Sequence, residues 1–348
     1  MTTAFVAGAS ASAPPARPRA ISRWLFIVAV MVFLMVVVGG ITRLTESGLS
    51  MVRWEPVSGI VPPLNDQQWQ AEFDAYKAYP EYQKINRGMD LAQFKSIFFW
   101  EYLHRFIARL IGLVFALPLL WFAWKRAIPP GYGKRLVALL ALGGLQGVIG
   151  WWMVASGLVD RPDVSHVRLA IHLSMALFIL SGLIWTGLDL AVLARNPGAR
   201  PAAYAGAVIP LTIVLACQIV LGAFTAGLDA GFAFNTWPMM GDHWFPEGVA
   251  MLKPFWLNVV NNPIVVQFCH RTTAFLVAIA ALATAFVAWR RDVRREAGEL
   301  AAMVLIQFSL GIATIVSGVA LWIGVAHQAG AALLLIATVR IAHRLGRR

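Results

Sequence analysis

Apolar residues along this chain gather in eight runs of about 20, with charge, proline and glycine concentrated between them. The runs cover roughly residues 22–42, 96–124, 134–155, 167–190, 202–226, 263–289, 299–320 and 322–342. At 1.5 Å of rise per residue, each can cross the ~30 Å hydrocarbon core of a bilayer as a helix. The pattern predicts an all-α integral membrane protein with eight transmembrane helices. The segments between the runs are unequal. Residues 43–95 form a long polar stretch with seven Asp/Glu and six Lys/Arg, and "NDQQWQAEFDAYKAY" within it predicts a short helix. Residues 227–262 form a second long stretch, rich in Trp, Pro and Gly, while the remaining connectors are short and several are basic.

Composition sharpens this reading. With 59% hydrophobic and 13% charged residues, the chain is not a pair of soluble domains, although its length would allow them. A net charge of +12 would suit nucleic acid, but its placement argues against that. With the N-terminus inside, the inner segments hold 17 Lys/Arg against nine in the much longer outer ones. This is the positive-inside bias, so the basic character reports topology and puts both termini in the cytoplasm, or in the matrix for a mitochondrial protein. No nucleic-acid partner is expected. Residues 1–21 read as a disordered cytoplasmic tail rich in Ala, Pro and Ser. Cys217 and Cys269 fall inside spans, form neither a disulfide framework nor a CxxC site, and read as small buried apolar residues.

The chain resembles itself. "FWEYLHR" (99–105) aligns with "VVQFCHR" (265–271), and "LQGVIGWWMVASG" (145–157) with "IQFSLGIATIVSG" (306–318). "VGGITRLTESGLSMVRWEP" (38–56) matches "VLGAFTAGLDAGFAFNTWP" (220–238) more loosely. A duplicated unit of four spans keeps one orientation, so the two copies should pack about an axis along the membrane normal. The expected organisation is two pseudo-symmetric four-helix bundles: residues 22–195, carrying the long outer loop 43–95, and residues 196–348.

Histidine is where the repeat acquires chemistry. His104, His172, His270 and His327 fall one to each even-numbered span, all about one or two turns from its outer end. Interhelical hydrogen bonding accounts well for one such residue, but poorly for four at matched depth. Two imidazoles facing each other across a bundle suit the axial positions of a haem iron. Zinc would more often want cysteine or carboxylate in a cluster of three or four ligands. Two pairs imply two haem pockets at one level, which does not suit a wire carrying electrons across the bilayer. Arg105 and Arg271, each following a histidine, either snorkel to the outer interface or pair with haem propionates. Arg109 is read as facing the same polar cavity. His166 is read as an interfacial residue or a substrate contact, and His243 and His343 as solvated. Gln146, Gln218 and Gln307 head a recurring Q-x-x-x-G pattern, read as close-packing seams with one polar tie.

Taken together, "GGITRLTESGLSMVRWEPVSGIVPP", "EYLHR", "IHLSMA", "CHRTTAF" and "AHQAGA" closely resemble the haem A synthase family over nearly the whole chain. The resemblance implies an oxidoreductase of the bacterial inner membrane, or the mitochondrial inner membrane in a eukaryote. Such an enzyme converts haem O to haem A for cytochrome oxidase assembly, through successive hydroxylations of a ring methyl. It further implies that His104 and His172, with Arg105, hold the substrate haem and that Glu101 is the catalytic carboxylate. His270 and His327 would be the axial ligands of a haem b cofactor, with Arg271 as a propionate contact. Some bacterial members carry a cysteine pair in the first outer loop; residues 43–95 contain none, which places the chain with the proteobacterial and mitochondrial branch. Candidate partners are the farnesyltransferase that makes haem O, a redox partner and a second copy of the chain. The competing reading is a di-haem b cytochrome passing electrons from quinol to an outer partner.

Overall fold

The computed structural model describes residues 16–52, 58–158 and 162–347. Most of the expected tail and the "RWEPV" stretch of the first outer loop lie outside the described residues. The regular elements of the described residues are helices, with α1 Pro18–Leu44, α2 Asp66–Lys77, α3 Pro80–Lys84, α4 Leu91–Trp124, α5 Gly133–Val154 and α6 His166–Leu193. There follow α7 Ile209–Gly227, α8 Leu257–Asn261, α9 Pro263–Arg290, α10 Arg294–Val316 and α11 Leu321–Leu345. Eight of these helices (α1, α4, α5, α6, α7, α9, α10 and α11) are long and apolar enough to cross a membrane, as the hydropathy pattern predicts. The protein is an all-α, multi-pass membrane protein.

The boundaries follow local chemistry. α1 begins at Pro18, so the last four residues of the expected tail are helical, because proline at the first helical position loses no hydrogen bond there. α9 opens on Asn262, whose side chain accepts from the Ile264 amide, followed by Pro263. α4 starts at Leu91 instead of residue 96 because Asp90 and Gln93 cap it reciprocally, each side chain bonding the other's backbone N–H. At 34 residues it is about 50 Å long, so its first turns stand clear of the bilayer. There Phe94 and Phe98 pack against Phe73 and Tyr76 of α2. The predicted loop helix therefore has a job. It folds the outer segment onto the protruding end of α4.

Among the spans, α1 packs on α4 and α6, and α9 packs on both α7 and α10, with α11 against α10. Contacts of α6 with α7, and of α11 with α1 and α6, join the two groups. At the end of the bundle that holds both described termini, Asp189 of α6 gathers Arg135 (2.8 Å), Arg347 (2.7 Å), the Ala202 amide (2.9 Å) and His343 (3.1 Å) around one buried carboxylate. His343 is thus buried, 4% exposed and edge-on to Trp185, instead of solvated as its place near the C-terminus suggests. His243 is exposed, as expected. Cys217 is exposed on the outside of the helix bundle and Cys269 is half-buried, so neither belongs to the core. A lipid-facing position is as apolar as a core one, and composition does not separate them.

Candidate functional site

One continuous cavity runs through the half of the bundle away from the described termini, and His104, His172, His270 and His327 all line it. His172, His270 and His327 lie about two turns into helices that start at His166, Pro263 and Leu321, or ~10 Å down. His104 is further along α4 only because that helix protrudes. Three of the four thus lie equally far into their helices, and His104 joins them in the same cavity.

Each ring lies against a glycine of the preceding membrane span. A Cβ on Gly39, Gly150, Gly222 or Gly311 would meet Cε1 of His104, His172, His270 or His327 at 3.0, 2.9, 3.0 and 3.1 Å respectively. No side chain fits there without displacing the imidazole. The pattern also corrects the loosest of the sequence matches by one residue. Gly39, not Gly40, corresponds to Gly222; Gly40 instead faces Gln328 of α11.

The Q-x-x-x-G glutamines tie these histidines in place. The Nε2 groups of Gln146, Gln218 and Gln307 donate to the backbone carbonyls of His172 (3.0 Å), His270 (3.0 Å) and His327 (2.9 Å). Gln146 and Gln307 also reach within 3.1 Å of the Nδ1 atoms of His172 and His327, and the Gln146 nitrogen lies 3.4 Å from the His172 Nε2. The expected polar tie is real, and its partner is the histidine.

The rings of His270 and His327 are 6.3 Å apart, centre to centre, and nearly perpendicular. A metal bonded at about 2 Å to one nitrogen of each ring would set their centres roughly 6–6.5 Å apart. Among the described residues no three His, Cys, Asp or Glu side chains gather as a closed metal cluster. The donor set is therefore paired imidazoles in a largely apolar cavity, which fits an iron porphyrin with two axial histidines and not a zinc site.

A model of the COX15-CtaA family of cytochrome oxidase assembly proteins matches residues 22–339. A protein of Sphingopyxis alaskensis named haem A synthase is 53% identical over all of this chain and 98% of its own length. Another haem A synthase, from Rhizorhabdus wittichii, is 55% identical over 96% of each chain, and one from Novosphingobium aromaticivorans 49% identical over 94% of this chain and 96% of its own. The chain belongs to the haem A synthase family.

Within this haem A synthase fold the remaining candidate residues separate. Glu101 is 3% exposed, with both oxygens bonded. Its Oε1 accepts from Arg105 Nη2 at 2.6 Å, and its Oε2 from Ser50 Oγ and the Met51 amide, both at 2.7 Å. Arg105 also donates to the Met51 carbonyl at 3.0 Å. The pair thus straps the first outer loop to α4 and stands behind the cavity wall, not in it. In the second half, Gln267 donates to the carbonyls of Gly231 and Phe234, and Arg271 to that of Thr236. Gln267 and Arg271 do line the cavity. Arg109 does not, against expectation: five residues beyond His104 it points roughly 140° around the helix. His166 is buried edge-on to Phe224, against Gly227, and is not part of the cavity wall.

Sequence reasoning missed the mouth of the cavity. It is lined by Arg43, Glu46, Glu81, Asp163 and Asp229, with Arg43 bonded to both oxygens of Asp229 at 2.8 and 3.0 Å. Glu81 is 4% exposed and accepts from the Tyr76 hydroxyl at 2.9 Å. Nothing in a polar loop sequence marks one carboxylate among seven as buried. The aromatic residues of α2 around it were the available signal.

Proposed function

We propose that this protein is a haem A synthase that oxidises one ring methyl of haem O to a formyl group, supplying haem A for cytochrome oxidase. His104 and His172 hold the substrate, and His270 and His327 are the axial ligands of a haem b cofactor. The observation that carries the assignment is a difference between equivalent positions. Each half brings a histidine pair to the cavity, but the residue three before the first histidine is Glu101 in one half and Gln267 in the other. At that spacing the side chain shares a helix face with its histidine. The two are near-isosteres, and only the carboxylate exchanges a proton. With water as the oxygen source, turning a methyl into a formyl group through two hydroxylations and loss of water from the diol (R–CH3 + H2O → R–CHO + 4 H+ + 4 e−) releases protons with the electrons that the redox partner takes up; holding a cofactor releases none. The titratable half is the reacting half.

In this reading Arg105 keeps Oε1 of Glu101 paired, while Oε2 takes the proton. Its partner Ser50 is a hydroxyl, which can turn from donor to acceptor as the carboxylate fills. When bound, haem b supplies one-electron redox chemistry beside the substrate. Arg271, at the cavity wall, offers the cation a propionate needs. The histidines lie toward the outer face of a bacterial inner membrane, with both termini cytoplasmic. Haem O arrives from the farnesyltransferase that makes it, and a redox partner removes the electrons.

The test is pigment extraction from a host that makes haem O but no haem A. Expression of the chain should give haem A, and Glu101→Gln should keep haem b while accumulating haem O or a hydroxylated intermediate. Two haem b per chain with no haem A would instead establish the electron-carrying cytochrome.

A further inference from the structure

Four helices present a glycine to a histidine ring, and three of them carry a glutamine one turn deeper. In α5, α7 and α10 these are Gln146, Gln218 and Gln307, each donating to its histidine's backbone carbonyl. In α1 the glycine is Gly39, its Cβ position meets the same Cε1 atom of the ring, and the residue one turn deeper is Met35. Met35 lines the same cavity. A thioether has no N–H to give, so α1 offers His104 no counterpart of the tie made elsewhere.

The omission falls on one particular ligand. In the second half both histidines are tied through their backbone carbonyls, His270 by Gln218 and His327 by Gln307, although only His327 is also reached at its ring, the His270 Nδ1 having no partner among the described residues. In the first half His172 is tied by Gln146, and among the described residues no glutamine makes this bond to His104. Partners that orient a ligating histidine typically change metal affinity about 10–100-fold when removed. A haem kept permanently gains from having both ligands fixed. A haem that enters as substrate and leaves as product needs a ligand that lets go.

We propose that Met35 is a positioning residue that acts by withholding this hydrogen bond, making His104 the releasable axial ligand of the substrate haem. The inference rests on the reading that His104 and His172 form the substrate pair. Met35 also fills apolar space, and that role must be kept separate. Leucine preserves it without adding a donor, whereas glutamine adds the donor found in the other three helices.

The experiment is haem transfer from the purified, haem-loaded full-length protein to excess apomyoglobin, followed by absorbance, so that no turnover is needed. Wild type should release haem in two phases, fast from the first pair and slow from the second. Met35→Gln should slow the fast phase about 10-fold or more and leave the slow phase alone, and Met35→Leu should match wild type. A fast phase unchanged in Met35→Gln, or slowed equally by leucine, overturns the proposal. His104→Ala distinguishes failure of the proposal from failure of the reading beneath it. If it leaves the fast phase intact, the histidine pair is not the releasable site and the underlying reading fails. Should Met35→Gln not fold, Gln146→Met provides the converse. Removing the last tie of the first pair must speed the fast phase about 10-fold, and an unchanged rate overturns the proposal.

Discussion

Glu81 shows what burial does to a single side chain in this protein. It belongs to a polar outer segment, yet it is held against Tyr76, whose hydroxyl in turn accepts from Asn86 at 2.8 Å. Burial pushes its carboxyl up from about 4.5 to about 8, opposed by the Tyr76 hydrogen bond and reinforced by the charges of Glu101, Glu46 and Asp163. Burial, with the nearby charge of Glu81, likewise pushes the Tyr76 phenol well above its ordinary value. The sign of the linkage follows. The folded state holds the Glu81 proton more tightly than the unfolded chain does. Stability from this group is full below pH 4.5 and is lost as pH rises through about 8. Glu81→Gln, neutral at every pH, should therefore flatten the curve. In detergent, thermal unfolding of wild type should weaken between pH 5 and 9 by a few degrees more than that of the variant. Parallel curves would show that Glu81 is ionised in the folded protein at neutral pH.

At the scale of the helix, the decisive contacts are those where a glycine gives way to a ring. Gly222→Ala would set a methyl 3.0 Å from His270 Cε1 and force the ring aside. The expected result is loss of most of the bound haem b, read as haem per protein and as the amplitude of the reduced-minus-oxidised spectrum. A methyl added to Gly143 or Gly147 of α5 would meet nothing within 4 Å, so alanine there should leave haem content unchanged. It should also stabilise the helix by about 0.5–1 kcal/mol. All these glycines look alike in the sequence. The Q-x-x-x-G spacing was legible because it recurs, and so was its polar character. Its target was not, because a glutamine's partner lies on another helix and only packing brings the two together. The one-residue shift of the first helix against its repeat has a related cause: two adjacent glycines, Gly39 and Gly40, offer equivalent alignments.

For the whole molecule, the hydropathy pattern marks all eight spans, with ends that fall within seven residues of the helix ends, since bilayer thickness fixes their length. The similar distance of His172, His270 and His327 into their helices was legible as well. The docking of α2 and α3 onto the start of α4, and the burial of His343 against Asp189, depend on contacts between distant segments; the aromatic residues of α2 hinted at the first, and nothing local marked the second. Orientation is directly testable. Reporter fusions near residues 130, 197 and 293 should read as cytoplasmic, and those near 75 and 240 as outer. Reversal at two of these sites would invert the depth argument. The two halves also carry a genetic implication. Glutamate and glutamine codons differ by a single base, so if both halves descend from one ancestral copy, one point mutation separates the carboxylate at 101 from the amide at 267. Methionine and glutamine codons differ by two. A duplicated haem carrier would thus need only a handful of nucleotide changes to turn one of its two equal pockets into a place where the pigment is remade.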